Sequence, residues 1–284
     1  MRGFLKSVLP QLEFDYTERK CGVSQSLIIN ADDFGYSDHT VGWTVKCFEA
    51  GVLSSATIMV GAAAVGRAVE FAKENPQWSF GLHLCLTDER PLCLPSEIPS
   101  MVTHEGLLWP TRVFMIRSAL GMIRREHLEK EIRAQVKSLC DLGVHMSHLD
   151  GHGHIHRMPF VMRSLITLAK EIGMTCIRPA QDLYYQTPRC PAGRWLNSWV
   201  NRSLRTSFFA PDHFLMTSGK ITAENAFWFR DVVKRLPEGC TEIGVHPGMD
   251  EPWRKLDTEC LFKEGAAILT RPGIALTTYH CLKR

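Results

Sequence analysis

From about residue 25 onward, short apolar runs alternate with stretches of helical periodicity. Leu27-Ile28-Ile29-Asn30 suits a buried strand. Val41, Val45 and Phe48 then recur at helical spacing until Gly51 closes the helix. Thr57 to Val60 predicts a second strand and Ala62 to Ala72 a second helix. Phe80 to Leu86 is a third strand, enclosing Gly81-Leu82-His83. Over 129–142, Ile132, Val136 and Leu139 line one helical face, Glu129 is placed to pair with Arg133, and Gly143 stops the element. Val144 to Leu149 predicts a strand and Phe160 to Ile172 a helix ended by Gly173. Thr175-Cys176-Ile177-Arg178, Glu242 to His246 and Ala275 to Tyr279 are further strand candidates. Such alternation argues for βα units around a parallel sheet, closed or open. Residues 88–128 and 180–228 break the rhythm and read as long insertions on the βα side. Residues 1–24 read as an extension, leaving 25–284 as one domain.

Composition narrows the classes. The chain has 284 residues, 45% hydrophobic and 22% charged, which excludes wholesale disorder and fibrous architectures. A net charge of +3 gives no argument for a nucleic-acid partner. The ten cysteines include no pair at CxxC spacing, so reduced, partly buried thiols are expected rather than a disulfide framework. Pro10, Glu13 and Asp15 interrupt any leader-like apolar core, and the uncharged stretch 51–66 is too short and polar to span a bilayer. The expectation is a cytoplasmic protein.

The candidate chemistry gathers where strands end. Asp32 and Asp33 follow the first strand, and His83 lies in the third. Asp150, His152, His154 and His156 follow another, and His246 ends a late one before Pro247-Gly248. In parallel α/β folds the carboxyl ends of the strands converge on one face, where active sites are built. An adjacent Asp pair on its own more often caps a helix, with Asp33 or Ser37 the candidates here. A lone histidine in an apolar strand is more often a hydrogen-bonded core residue. Four histidines within 148–156 are harder to assign to a core, and an extended backbone there puts His152, His154 and His156 on one side. The remaining histidines lack such context. No GxSxG elbow, P-loop, HExxH, strand-borne GxGxxG or zinc-deaminase pairing is present, which leaves metal-assisted hydrolysis. A phosphoesterase, another amidohydrolase and a non-catalytic metal-binding module are the alternatives.

The segments Ala31-Asp32-Asp33-Phe34-Gly35, Gly81-Leu82-His83-Leu84, His148 to His156 and His246-Pro247-Gly248 together resemble the YdjC/ChbG-type carbohydrate deacetylases. That group includes the hopanoid-associated HpnK branch. The resemblance spans roughly residues 26–284. It implies a distorted TIM-type (β/α) barrel and removal of N-acetyl groups from amino sugars. It also implies one divalent metal on Asp33, His83 and His152, with Asp32 as base and His246 as acid. Two imidazoles and one carboxylate suit zinc or another transition ion, whereas the family is often described with magnesium, so both ions stay open. Arg178, at a further strand end, is placed to orient Asp32 or to form a structural ion pair. Asp150, His154 and His156 are expected to touch substrate, and Gly153 to enlarge the pocket.

Two basic amphipathic stretches remain, 111–125 and 194–208. Packing on the barrel or on a second copy in a homodimer is the commoner use of such stripes. Their tryptophans and arginines also suit a peripheral membrane contact, which would go with a lipid-linked sugar substrate.

Overall fold

The computed structural model describes residues 25–184, 191–217, 227–265, 269 and 273–282. The expected extension 1–24 and parts of the 180–228 insertion therefore lie outside the described residues. Seven parallel strands form the sheet: β1 Gln25–Phe34, β2 Ser55–Ile58, β3 Ser79–Leu84, β4 Leu149–Gly151, β5 His213–Met216, β6 Gly239–Val245 and β7 Ile274–Leu276. Their order is β4-β3-β2-β1-β6-β5, with β7 pairing the first residues of β1. Among the described residues the helices are α1 Asp38–Glu49, α2 Val65–Glu74, α3 Thr111–Ala119, α4 Arg125–Asp141, α5 Pro159–Leu168, α6 Pro191–Leu204, α7 Trp228–Val233 and α8 Pro252–Cys260.

The apolar run that marks β1 is buried from Leu27 to Phe34, as expected for a central parallel strand covered on both faces. α1 begins at Ser37, whose hydroxyl accepts the Thr40 amide, so Ser37 is the cap and the aspartate pair is left for another use. Its face Thr40, Val41, Thr44, Cys47 and Phe48 packs inward, and Phe48 joins Phe34, Phe71, Trp78 and Phe80 in an aromatic cluster under α1 and α2.

Between the edge strands β4 and β5 the curved sheet is bridged rather than laddered. Leu149 pairs with Ile177 and Cys176 with Phe209, and the Asp182 and Leu183 amides reach the Phe214 carbonyl. The result is a (β/α)-barrel-like half-barrel with an irregular seam. The strand expected over 175–178 is thus an isolated bridging segment. The strand expected at Val144–Leu149 starts at Leu149 and runs to Gly151. Ser147 and His148 lie beside β3, bonding Phe80 and Leu82, but without a continuous ladder.

Neither insertion is irregular throughout. The first holds α3 and the start of α4, and buried Glu131 and Gln135 of α4 bond the amides of Leu92, Cys93 and Cys85, tying the loop down. The second holds α6 and β5.

Candidate active site

At the end of β1 the backbone turns at Asp33, whose φ of 59° lies in the left-handed region. That turn separates the neighbouring carboxylates, and each is buried. Asp33 Oδ1 faces His83 Nε2 at 3.2 Å and His152 Nδ1 at 3.3 Å. These three side chains come from β1, β3 and the turn after β4, and each offers a ligand atom within 4.8 Å of the others. Behind them, His83 Nδ1 meets Asp150 at 2.7 Å, the carboxylate–histidine support that fixes a ligand's ring and tautomer. One carboxylate oxygen and two imidazoles, one of them half-buried on the open side, fit an open divalent-ion site. Asp32, His83 and Asp150 also lie within such a span, but both of those carboxylates already carry Arg178.

Asp32 sits beside this group and is gripped from below. Arg178 donates to both of its oxygens at 2.6 and 2.7 Å, and Asn30 donates to Oδ1 at 2.9 Å. Burial pushes the Asp32 pKa up, but the Arg178 charge and hydrogen bonds outweigh it and hold the carboxyl well below its usual range. Asp33 is likewise kept low: burial raises it, and the hydrogen bonds of His152 and His83 overcome that. Burial alone would lower His83, yet Asp150 and Asp33 bring it up to about 10. His246, at the end of β6, places Nε2 4.0 Å from Asp32 Oδ2. Burial lowers its pKa despite the opposing charges of Asp32 and Asp33.

The structure also places the other expected site residues. Arg178 is wholly buried and also meets Asp150 at 2.7 Å and Glu242 at 2.7 Å. Asp150 is wholly buried and meets His83 and Arg178. The segment after β4 is not extended: residues 152–157 form a tight helical turn in which Gly153 and His154 both have φ near 57°. The one-sided row of histidines is therefore broken up. His152 faces Asp33, half-buried His154 packs edge-on to Phe214, and His156 is wholly buried. Burial, with Arg178 and Arg157 nearby, pushes His154 down to about 3. Gly153 supplies one of the two left-handed positions of this turn.

Other participants escaped sequence reading. Asn30 and Thr57 link Asp32 to Asp150, Glu242 and Tyr279 complete the Arg178 shell, and Arg254 of α8 bonds Asp33. Some left a trace. Asn30 lies two residues before Asp32 on the same strand face, and Glu242 is a charge inside an apolar strand.

The sequence profile of the family described as YdjC-like protein matches residues 26–272. The chain belongs to the YdjC-like family. Among its relatives, this family member is 30% identical over 265 residues to a carbohydrate deacetylase of Geobacillus stearothermophilus, covering 89% of this chain and 96% of the other. It is 31% identical to a carbohydrate deacetylase of Listeria monocytogenes over 86% and 91% of the two chains. Its fold is shared with a solved structure, a candidate cellobiose-phosphate cleavage protein from Enterococcus faecalis V583. That match has a TM-score of 0.74 and 23% identity, and covers 92% and 100% of the two chains.

Proposed function

We propose that this YdjC-like chain is a divalent-metal-dependent hydrolase that removes an N-acetyl group from an amino sugar and releases acetate. The observation that carries the reading is the open group of Asp33, His83 and His152 with the ionised, Arg178-held Asp32 beside it. The carbohydrate deacetylases among its relatives support the choice of bond.

Asp33, His83 and His152 would hold the ion. When bound, a divalent ion there lowers the pKa of water and polarises the acetyl carbonyl. Asp32, kept deprotonated by Arg178, accepts the proton of the attacking water. Arg178, Asn30 and the Asp150 behind them fix where that carboxylate points. His246, with Nε2 4.0 Å from Asp32 Oδ2, takes up the proton that Asp32 removes from the water and passes it to the departing amine. Burial lowers the basicity of its ring, which makes the protonated form a ready donor.

Two exposed faces support a lipid-linked form of the sugar. On α3, Ile116 is 61% exposed, with Leu120 just past its end at 68%, while Arg112 lies on the same helix. On α6, Trp195 is 83% exposed beside Arg194. Thr111, which opens α3, lies against Gly153, so this helix rises from the rim of the site. No helix among the described residues is long and apolar enough to cross a membrane. A peripheral contact with an anionic cytoplasmic leaflet, carrying a lipid-linked sugar to the site, suits these faces.

One assay tests both parts. Acetate release is measured on free N-acetylated oligosaccharides and on the same sugar carried by a lipid in anionic vesicles. The account predicts release that stops on chelation and returns with added metal, faster from vesicles. Phosphate release from aryl phosphates without acetate release would replace the deacetylase reading. Equal rates on both sugar forms, with a concentration-dependent dimer in light scattering, would assign the exposed faces to a homodimer.

A further inference from the structure

Arg254 is 5% exposed and enters the site from the first turn of α8, 221 residues beyond the carboxylate it meets. Its Nη2 donates to Asp33 Oδ2 at 2.5 Å, while Nε donates to Glu251 Oε2 at 2.8 Å. The guanidinium also lies over the Trp253 ring at 4.5 Å, and Trp253 packs edge-on to His246. These contacts on Nε, Nη2 and one face orient the planar guanidinium toward Asp33. The turn after β6 is shaped to admit it: a Cβ on Gly248 would stand 2.9 Å from Arg254 Cδ, which accounts for the glycine in His246-Pro247-Gly248.

The consequence falls on Asp33. Its two oxygens have different duties, Oδ1 turned to His83 and His152 and Oδ2 taken by Arg254. We propose that Arg254 is a positioning residue that sets the metal preference of the site by restricting Asp33 to a single donor oxygen. The inference rests on the reading that Asp33, His83 and His152 hold an ion. Magnesium draws its affinity from oxygen ligands and carboxylate charge, whereas zinc draws equally on imidazole nitrogen. Occupying Oδ2 with a permanent cation removes one oxygen and offsets one negative charge, and so penalises magnesium more than zinc. The same pair keeps Oδ1 aimed at the two rings, which favours a compact ion with few protein ligands.

The test uses the full-length chain stripped of metal, dialysed to equilibrium against zinc and, separately, magnesium. Wild type is compared with Arg254→Gln and Glu251→Gln. In Arg254→Gln the preference for zinc over magnesium should fall by about an order of magnitude, mainly through tighter magnesium binding. Glu251→Gln, which frees only the outer end of the guanidinium, should shift the preference the same way by less. It decides the matter if Arg254→Gln does not fold. An unchanged preference, or proportional loss of both metals, overturns the inference, while metal binding by wild type keeps the reading that Asp33, His83 and His152 hold the ion. A wild-type chain that binds neither metal overturns the site itself, and this inference with it.

Discussion

Asp32→Asn should lower kcat for deacetylation by roughly two to four orders of magnitude, the range for loss of a positioned general base, with metal content unchanged. Asparagine keeps the shape of the side chain and still accepts a hydrogen bond from Arg178, so the frame around the site should survive. It cannot accept a proton. Asp32 is also outside the Asp33, His83 and His152 group, so stoichiometric metal should remain. Kinetics on an acetylated oligosaccharide and metal analysis of the same sample check this together. Near wild-type turnover would remove Asp32 from the base role. Parallel loss of metal would instead place Asp32 among the ligands.

The largest effect on stability is expected at Arg178. This wholly buried guanidinium faces three carboxylates, Asp32, Asp150 and Glu242. Breaking a buried ion-pair cluster by removing one partner costs about 3–5 kcal/mol, because the remaining charges are left uncompensated. Arg178→Met should therefore lower the unfolding free energy from denaturant titration by that much, moving the midpoint down, with acetate release lost as well. The pH dependence has a definite sign. The Asp32 pKa in the folded chain is depressed, so its stabilisation is present above the unfolded value, about 4, and disappears as pH falls toward the folded value. Without Arg178, burial dominates and raises that pKa above the unfolded value, so the Asp32 contribution changes sign: its acid-side loss should disappear, and stability should instead rise as pH falls through the folded pKa. A variant with wild-type midpoint and acid limb would show that Arg178 neither stabilises the cluster nor holds Asp32 ionised.

Most of the sheet was legible because parallel strands buried on both faces leave plain apolar runs, as in Leu27 to Asn30, and their helices leave clean periodicity, as at Ile132, Val136 and Leu139. The seam was not. Cys176 to Arg178 has strand composition, but its neighbours in space are single bridges, which no local pattern encodes. At the site, position along the chain was a good guide to Asp33, His83 and His152, since each stands at a strand end and those ends converge. It misled at His154 and His156, because alternation was assumed where two successive left-handed residues turn the backbone. Arg254 was out of reach for another reason. Its role comes from a contact across 221 residues, and arginine in the first turn of a helix carries no signal of the carboxylate it meets.

The central claim is that one carboxylate and two imidazoles from three separate strand ends share a single cation. An anomalous difference map, recorded at the zinc absorption edge from crystals of the zinc-loaded chain, tests it most directly. The account predicts one peak bonded, at about 2.0–2.2 Å, to an oxygen of Asp33 and a ring nitrogen each of His83 and His152. A peak among Asp32, His83 and Asp150 instead, or no peak at Asp33, would contradict it.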